Sequence, residues 1–257
     1  MRFNLFNKKT AHASDKEDAE RILSDDTPFA VKEAYRALGA NFLYLPIEDK
    51  CKKVAVTSAF PGEGKTFVSI NLAITLANSS EKRRVLLIDA DMRKSRVLRL
   101  LNSNKYSKTS GLSEYIAGID DVPNIIGTNH QNLDVLSSGA EAANPTGLLS
   151  SSRMESLMQI CGEQYDYIIF DTPPVNVVAD ALVLNDYING YLIATRADYS
   201  DVNSLKQAVD SLKRIDAEIY GVVLSSVDLK KGEGYYRSYN KYGYSSYDKD
   251  GEKKSKG

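Results

Sequence analysis

Cysteine is nearly absent from this chain, with Cys51 and Cys161 the two thiols among 257 residues. Two thiols are too few for a disulfide framework or a zinc site, and they suit a reducing compartment. An excess of one charge is also lacking. The 33 Lys and Arg side chains face 34 Asp and Glu, a net of −1, which gives no bulk attraction to nucleic acid. Long apolar runs are missing as well. The longest, such as 85–88, are strand-length and far below the roughly 20 residues of a membrane span. The opening "MRFNLFNKKTAHASDKEDAE" has no apolar core like that of a signal peptide. These absences predict a cytoplasmic protein with no direct membrane span and no nucleic-acid partner.

What is present suffices for one large core. Apolar residues make up 42% of the chain, ordinary for a globular α/β domain of this length. Residues 1–27 are polar and read as an N-terminal arm, either mobile or ordered by a neighbour. From residue 28, Val31, Ala34, Tyr35, Leu38, Phe42 and Leu43 fall at helical spacing, which predicts an amphipathic helix over 28–45. Apolar runs at 52–58, 84–89, 133–139, 165–171, 190–196 and 219–225 read as strands, and segments 65–78, 147–161 and 201–215 as helices. Strands apolar on both faces that alternate with helices predict a mostly parallel central sheet covered on both sides. The folded domain is expected to span 28–229. At about residue 230 the composition shifts to Gly, Ser, Tyr, Lys and Asp, which predicts a flexible tail over 230–257.

"VAVTSAFPGEGKTFVSINLA" begins as a strand, ends as a helix and holds a glycine-rich turn between them. It resembles the phosphate-binding pattern G-x-x-x-x-G-K-[ST] with Ala59 in place of the first glycine. Gly62 and Gly64 leave the backbone open, so Pro61, Gly62, Glu63, Gly64, Lys65, Thr66 and Phe67 are the expected nucleotide cradle. Lys65 would reach the outer phosphates, and the Thr66 hydroxyl would hold Mg²⁺. Two further strands end in acids: "VLLIDADMR" supplies Asp89, Asp91 and Arg93, and "YIIFDTPP" supplies Asp171. In a parallel sheet these strand ends share the ligand-binding edge. Asp89 and Asp91 lie two apart, so in extended chain both would face one way. Asp91 and Asp171 are expected beside Thr66 on the metal. His130 reads as a loop residue, and Tyr106 and Tyr115 as surface or packing residues.

"PGEGKT", "LLIDADMR", "FDTPP" and a C-terminal tyrosine cluster together resemble the deviant-Walker ATPase group. Within it they are most similar to the bacterial tyrosine kinases of capsule and exopolysaccharide synthesis, the CpsD/CapB type. The resemblance implies a P-loop fold like that of MinD and ParA proteins, ATP and Mg²⁺ as cofactors, and transfer of the γ-phosphate to tyrosine. It also implies Asp89 as the group orienting or accepting the phenol proton, with Asp91, Lys65 and Arg93 beside it. Its expected partners are a CpsC/CapA-like transmembrane activator that recruits the kinase to the inner face of the membrane, a cognate tyrosine phosphatase, and further copies of the chain. The association segment E-x-x-R-x-x-R is matched at Glu33 and Arg36, but Gly39 stands at the second arginine. Gly147 stands where relatives often carry an acid, and Ser225, Ser226 and Asp228 are candidates for the adenine pocket. A second lysine early in the loop, typical of MinD and ParA proteins, is replaced by Phe60. A partitioning or positioning ATPase is nevertheless the main alternative, and an ATP-binding scaffold a third.

Six of the 16 tyrosines fall within 13 residues: Tyr235, Tyr236, Tyr239, Tyr242, Tyr244 and Tyr247. Such a cluster can be a solvated tail, a stacking surface for single strands, or a set of phosphoacceptors. The upstream ATP site favours the third. Between positions 230 and 257, eight basic and four acidic residues leave the tail at +4. At about −1.5 to −2 per phosphate, full modification would bring it to roughly −5 to −8.

Overall fold

The computed structural model describes residues 18, 20–101 and 110–227. Tyr106, Asp228 and the six tail tyrosines lie outside the described residues. Strands β1 (Lys52–Ser58), β2 (Val85–Asp89), β3 (Ile125–Gly127), β4 (Leu133–Leu136), β5 (Tyr167–Asp171), β6 (Gly190–Arg196) and β7 (Ile219–Ser225) form one sheet in the order β3-β4-β2-β5-β1-β6-β7. All neighbours run parallel except β3 and β4. This is the mostly parallel α/β sheet expected from strands apolar on both faces.

Alternation along each strand divides the interior in two. Val54, Val56, Val85, Leu87 and Ile169 face one core with Phe42, Ile70, Leu72 and Leu76. These last belong to helices α1 (Phe29–Leu43) and α2 (Lys65–Ala77). A short helix, α3 (Val97–Leu100), closes the same side. Ala55, Leu86, Ile88, Ile168 and Phe170 face the other core. There they meet α4 (Leu112–Ile116), α5 (Pro145–Leu149), α6 (Ser152–Gln164) and α7 (Val202–Lys213). Nearly every residue of α2 is buried, because it crosses the sheet beneath α1. Cys51 and Cys161 are buried free thiols, and Tyr115 is a packing residue.

Three details differ from the expected pattern. The helix expected over 147–161 is two helices. Asn144 caps the first by accepting from Gly147 N–H, and Ser151 caps the second by accepting from Met154 N–H. Serine competes for backbone bonds in this way and restarts the chain. The strand expected over 133–139 ends at Leu136, before the left-handed Gly139. Gly39 faces inward: a Cβ there would lie 2.9 Å from Thr75 Cγ2 on α2. The missing second arginine of the association pattern is therefore a close helix contact, whereas Glu33 and Arg36 pair with each other on the exposed face.

A 3-10 segment, Ala179–Asp186, follows β5 and is fastened to the sheet by Tyr191. The Tyr191 side chain is fully buried and its hydroxyl donates to the Ala181 carbonyl at 2.9 Å. Tyr191→Phe leaves that carbonyl without its partner. The expected cost is about 1–2 kcal/mol in denaturant unfolding, with the m-value unchanged.

Candidate active site

The loop between β1 and α2 takes its shape from two glycines. Gly62 and Gly64 have φ of 89° and 91°, the left-handed region that side chains disfavour. The α2 ladder opens with Val68 N–H bonded to the Gly64 carbonyl, so the N–H groups of Lys65, Thr66 and Phe67 point out of the helix end. That end also carries the positive pole of the helix. The loop is braced from the β6–β7 side. Tyr199 Oη donates to the Pro61 carbonyl at 3.1 Å, and Ser225 Oγ donates to the Glu63 carbonyl at 2.9 Å. The Glu63 carboxylate is buried, accepting Phe60 N–H at 2.8 Å and the Ser200 hydroxyl. Pro61, Gly62, Glu63, Gly64, Lys65, Thr66 and Phe67 thus form one turn, in which the Glu63 side chain serves as an internal strut.

Three carboxylates gather in front of this turn. β2 and β5 are adjacent, with Asp89 paired in register with Asp171. Lys65 crosses to them: Nζ is 2.8 Å from Asp91 Oδ2 and 3.8 Å from Asp171 Oδ2. Ser69 Oγ donates to Asp171 Oδ1 at 3.1 Å, and Thr66 also hydrogen-bonds this carboxylate. Burial would lower the Lys65 pKa, but the charges of Asp171, Asp91 and Asp89 outweigh it and hold the ammonium charged. Asp171 is pushed up by burial, against the pull of Lys65. Asp89 is fully buried and pushed up to about 7, by burial first and then by Asp171.

Among the described residues no cluster of three His, Cys, Asp or Glu forms a ready metal cage. A hydroxyl and two carboxylates, Thr66, Asp91 and Asp171, with three acids sharing one ammonium, nevertheless leave the pocket short of positive charge. That donor set fits Mg²⁺, which keeps most of its water and takes few protein ligands.

Asp89 and Asp91 do not face the same way. The chain turns after β2, with Asp91 N–H bonded back to Asp89 Oδ1 at 3.2 Å, so the spacing rule for extended chain does not apply. Asp91 faces Lys65. Asp89 accepts Ser95 Oγ at 2.8 Å and the N–H groups of Arg96 and Val97, each at 3.2 Å. Arg93 is held by a carboxylate the sequence reading missed: its Nε and Nη2 lie 2.6 and 3.1 Å from the two oxygens of Asp180. Asp180 is fully buried and also accepts the Thr146 hydroxyl. The sequence offered one clue, a lone acid inside the apolar run "VADALVL". Of the adenine-pocket candidates, Ser225 braces the loop and Ser226 accepts from Arg21.

With this geometry in place, similarity to known proteins is informative. The chain matches the AAA domain family over residues 51–223. It is 36% identical to tyrosine-protein kinase CpsD of Streptococcus pneumoniae, covering 82% of this chain and 88% of that protein. It is 33% identical to tyrosine-protein kinase YwqD of Bacillus subtilis, over 79% and 85% of the two chains. Among solved structures, the kinase domain of Escherichia coli tyrosine kinase ETK superposes with a TM-score of 0.70 at 33% identity, covering 77% of this chain and 76% of that one. The chimerical protein CapA2B2 also gives 0.70, at 28% identity, over 77% and 85%. The cell-division ATPase MinD of Pyrococcus furiosus gives 0.56 at 23% identity, over 69% and 74%, a likeness of fold alone. Both sequence and structure thus favour the kinases over the partitioning ATPases, and the chain belongs to the bacterial protein-tyrosine kinase family.

Proposed function

We propose that this kinase transfers the γ-phosphoryl group of ATP chiefly to its own C-terminal tyrosines, one copy modifying another, and thereby regulates capsule or exopolysaccharide synthesis and export. The observation that carries the reading is the convergence of Lys65, Asp91 and Asp171 at the mouth of the glycine turn, within 2.8 and 3.8 Å, with Asp89 alongside. In this assignment the N–H groups from Gly62 to Phe67 cradle the phosphates and Lys65 neutralises the outer ones. Thr66, Asp91 and Asp171 would hold Mg²⁺, which would supply charge neutralisation to the phosphates when bound. Phosphotransfer asks little covalent work of the protein, so positioning and charge account for most of the rate.

Asp89 takes the acceptor role toward the phenol. Its Oδ2 accepts the Ser95 hydroxyl at 2.8 Å, the bond that a tyrosine O–H would replace. Burial also makes it a better base than an ordinary carboxylate, because its pKa of about 7 lies closer to that of a phenol. Arg93, fixed by Asp180, offers charge on the same loop. A transmembrane activator, a cognate phosphatase and self-association complete the assignment, with the kinase recruited to the inner face of the cell membrane. No helix among the described residues is long and apolar enough to cross a membrane.

Asp89→Asn is expected to lower kcat about 100- to 10,000-fold, the usual weight of a general base, while Mg·ATP affinity in a fluorescent-nucleotide titration changes little. In the intact enzyme the deprotonated form of Asp89 is the active one, so kcat/KM should rise with pH and level off above about 7, where Asp89 titrates. A pH-rate profile with no inflection in that region, or an active Asp89→Asn enzyme, counts against the assignment.

Replacing Tyr235, Tyr236, Tyr239, Tyr242, Tyr244 and Tyr247 with Phe is expected to remove phosphotyrosine from the chain and leave ATP binding intact. A Lys65→Met chain with an intact tail should become labelled when mixed with this tail variant and Mg·ATP. Label that stays off the Lys65→Met chain in the mixture would mean that transfer is confined to single copies.

A further inference from the structure

Arg21, Ile22 and Leu23 lie against α2 instead of projecting from the fold. Ile22 is buried in the core on that side. Asn71, itself buried, accepts Leu23 N–H at 2.8 Å and donates to the Arg21 carbonyl at 3.0 Å. This two-point clamp sets the Arg21 side chain at the edge of the glycine turn. Its guanidinium carbon stands 3.9 Å from the centroid of the Phe67 ring, and Nη2 donates to Ser226 Oγ at 3.2 Å. Phe67 follows Thr66 in the first turn of α2, and Ser226 follows Ser225, which braces the Glu63 carbonyl. Arg21 therefore bridges the two walls of the turn.

The charges around it are unbalanced. Arg96 lies 5.9 Å from the same ring centroid, and its Nε is buried without a hydrogen-bond partner among the described residues. Arg196 donates to the Gly62 carbonyl at 3.4 Å. Asp18 is the facing acid, 3.9 Å from Arg21 and paired with Arg96. Partial burial and the like charges of Arg196 and Arg96 all work against the Arg21 cation, and Asp18 only partly relieves them. Arg21, Arg96 and Arg196 thus stand around Phe67 and Gly62, with Asp18 the one acid ion-paired to them among the described residues. An anion placed there would relieve the repulsion.

We propose that Arg21 is a nucleotide-contacting residue that meets the α-phosphate end of bound ATP, while Lys65 meets the outer phosphates. The inference rests on the ATP-site reading above. If Lys65, Asp91 and Asp171 hold the outer phosphates and the metal, the triphosphate runs back along the α2 N-terminus toward the Phe67 N–H. Phe67 offers the α-phosphate neither hydroxyl nor charge. Arg21, stacked over its ring, supplies a planar donor there. The N-terminal arm then becomes a strap over the nucleotide, and its docking and nucleotide binding reinforce each other.

The test is a titration of the full chain with fluorescent Mg·ADP and Mg·ATP, comparing wild type with Arg21→Met and Arg21→Lys. Met keeps an apolar stem on Phe67 and removes the charge; Lys keeps the charge and loses the planar fork. The expected result is about tenfold or more weaker binding of both nucleotides by Arg21→Met, the usual weight of a charge-assisted bond. KM for ATP should rise more than kcat falls, and Arg21→Lys should recover part of the loss. As a measurement on the unaltered chain, Mg·ADP should protect Arg21 from an arginine-selective dicarbonyl, read by peptide mass spectrometry. Wild-type affinity in Arg21→Met, or unprotected Arg21 in saturating Mg·ADP, overturns the proposal and leaves the ATP site standing. A lowered thermal midpoint with unchanged affinity would make Arg21 a clamp for the arm alone and overturns it equally. Failure of the wild-type chain to bind either nucleotide would instead bring down the ATP-site reading itself, and this inference with it.

Discussion

Three carboxylates share one ammonium at the C-terminal edge of the sheet, and much of the fold can be understood as holding them there. Asp89, Asp91, Asp171 and Lys65 are all buried. Burying ionised groups is costly unless each is paired and hydrogen-bonded. The compensation is local: Lys65 spans Asp91 and Asp171, Ser69 and Thr66 also bond Asp171, and the turn after β2 wraps Asp89 in N–H groups. Only the strand order makes the grouping possible. β2 and β5 are far apart in sequence yet adjacent in the sheet, with β1 on the other side of β5, so two acids and the glycine turn open on one edge.

The same edge explains why so much of the loop's support comes from elsewhere in the chain. A turn with two left-handed glycines has little intrinsic preference for one shape, since glycine loses the most freedom on ordering. Tyr199, Ser200 and Ser225 arrive from the β6 and β7 ends to fix it, and the buried Glu63 side chain ties the loop to Ser200. Arg21 adds a contact from the N-terminal side. The glycine turn is therefore held by at least four chain segments, although its sequence signature occupies only one.

That difference marks what was legible in the sequence. Strands β1, β6 and β7 match the expected 52–58, 190–196 and 219–225 because apolar runs bounded by polar residues leave little choice of limits. The glycine turn and the strand-end acids were legible because each needs a particular residue type at a particular spacing. β3, with three residues, and α4, with five, were not, since such short elements carry no periodicity of their own. Asp180 and Asn71 escaped notice for a different reason. Each acts by facing a residue distant in sequence, Arg93 in one case and Arg21 with Leu23 in the other, and nothing local distinguishes them from an ordinary polar residue. The turn after Asp89 likewise defeated a rule that assumes extended chain.

In the kinase reading, the pairing of Lys65 has a consequence for the order of binding. Its ammonium lies 2.8 Å from Asp91, so an outer phosphate would compete with that carboxylate for the same charge. A triphosphate arriving alone would draw Lys65 away and leave three buried carboxylates facing further negative charge. A divalent cation arriving alone would be drawn by the three acids but would have to share them with the ammonium already there. With both bound together, Asp91 and Asp171 would gain a divalent counter-ion as Lys65 turned toward the phosphates, so part of the added negative charge would be offset. On that reading the metal–nucleotide complex would be favoured over the bare nucleotide, and its binding would be coupled to the loosening of one buried ion pair.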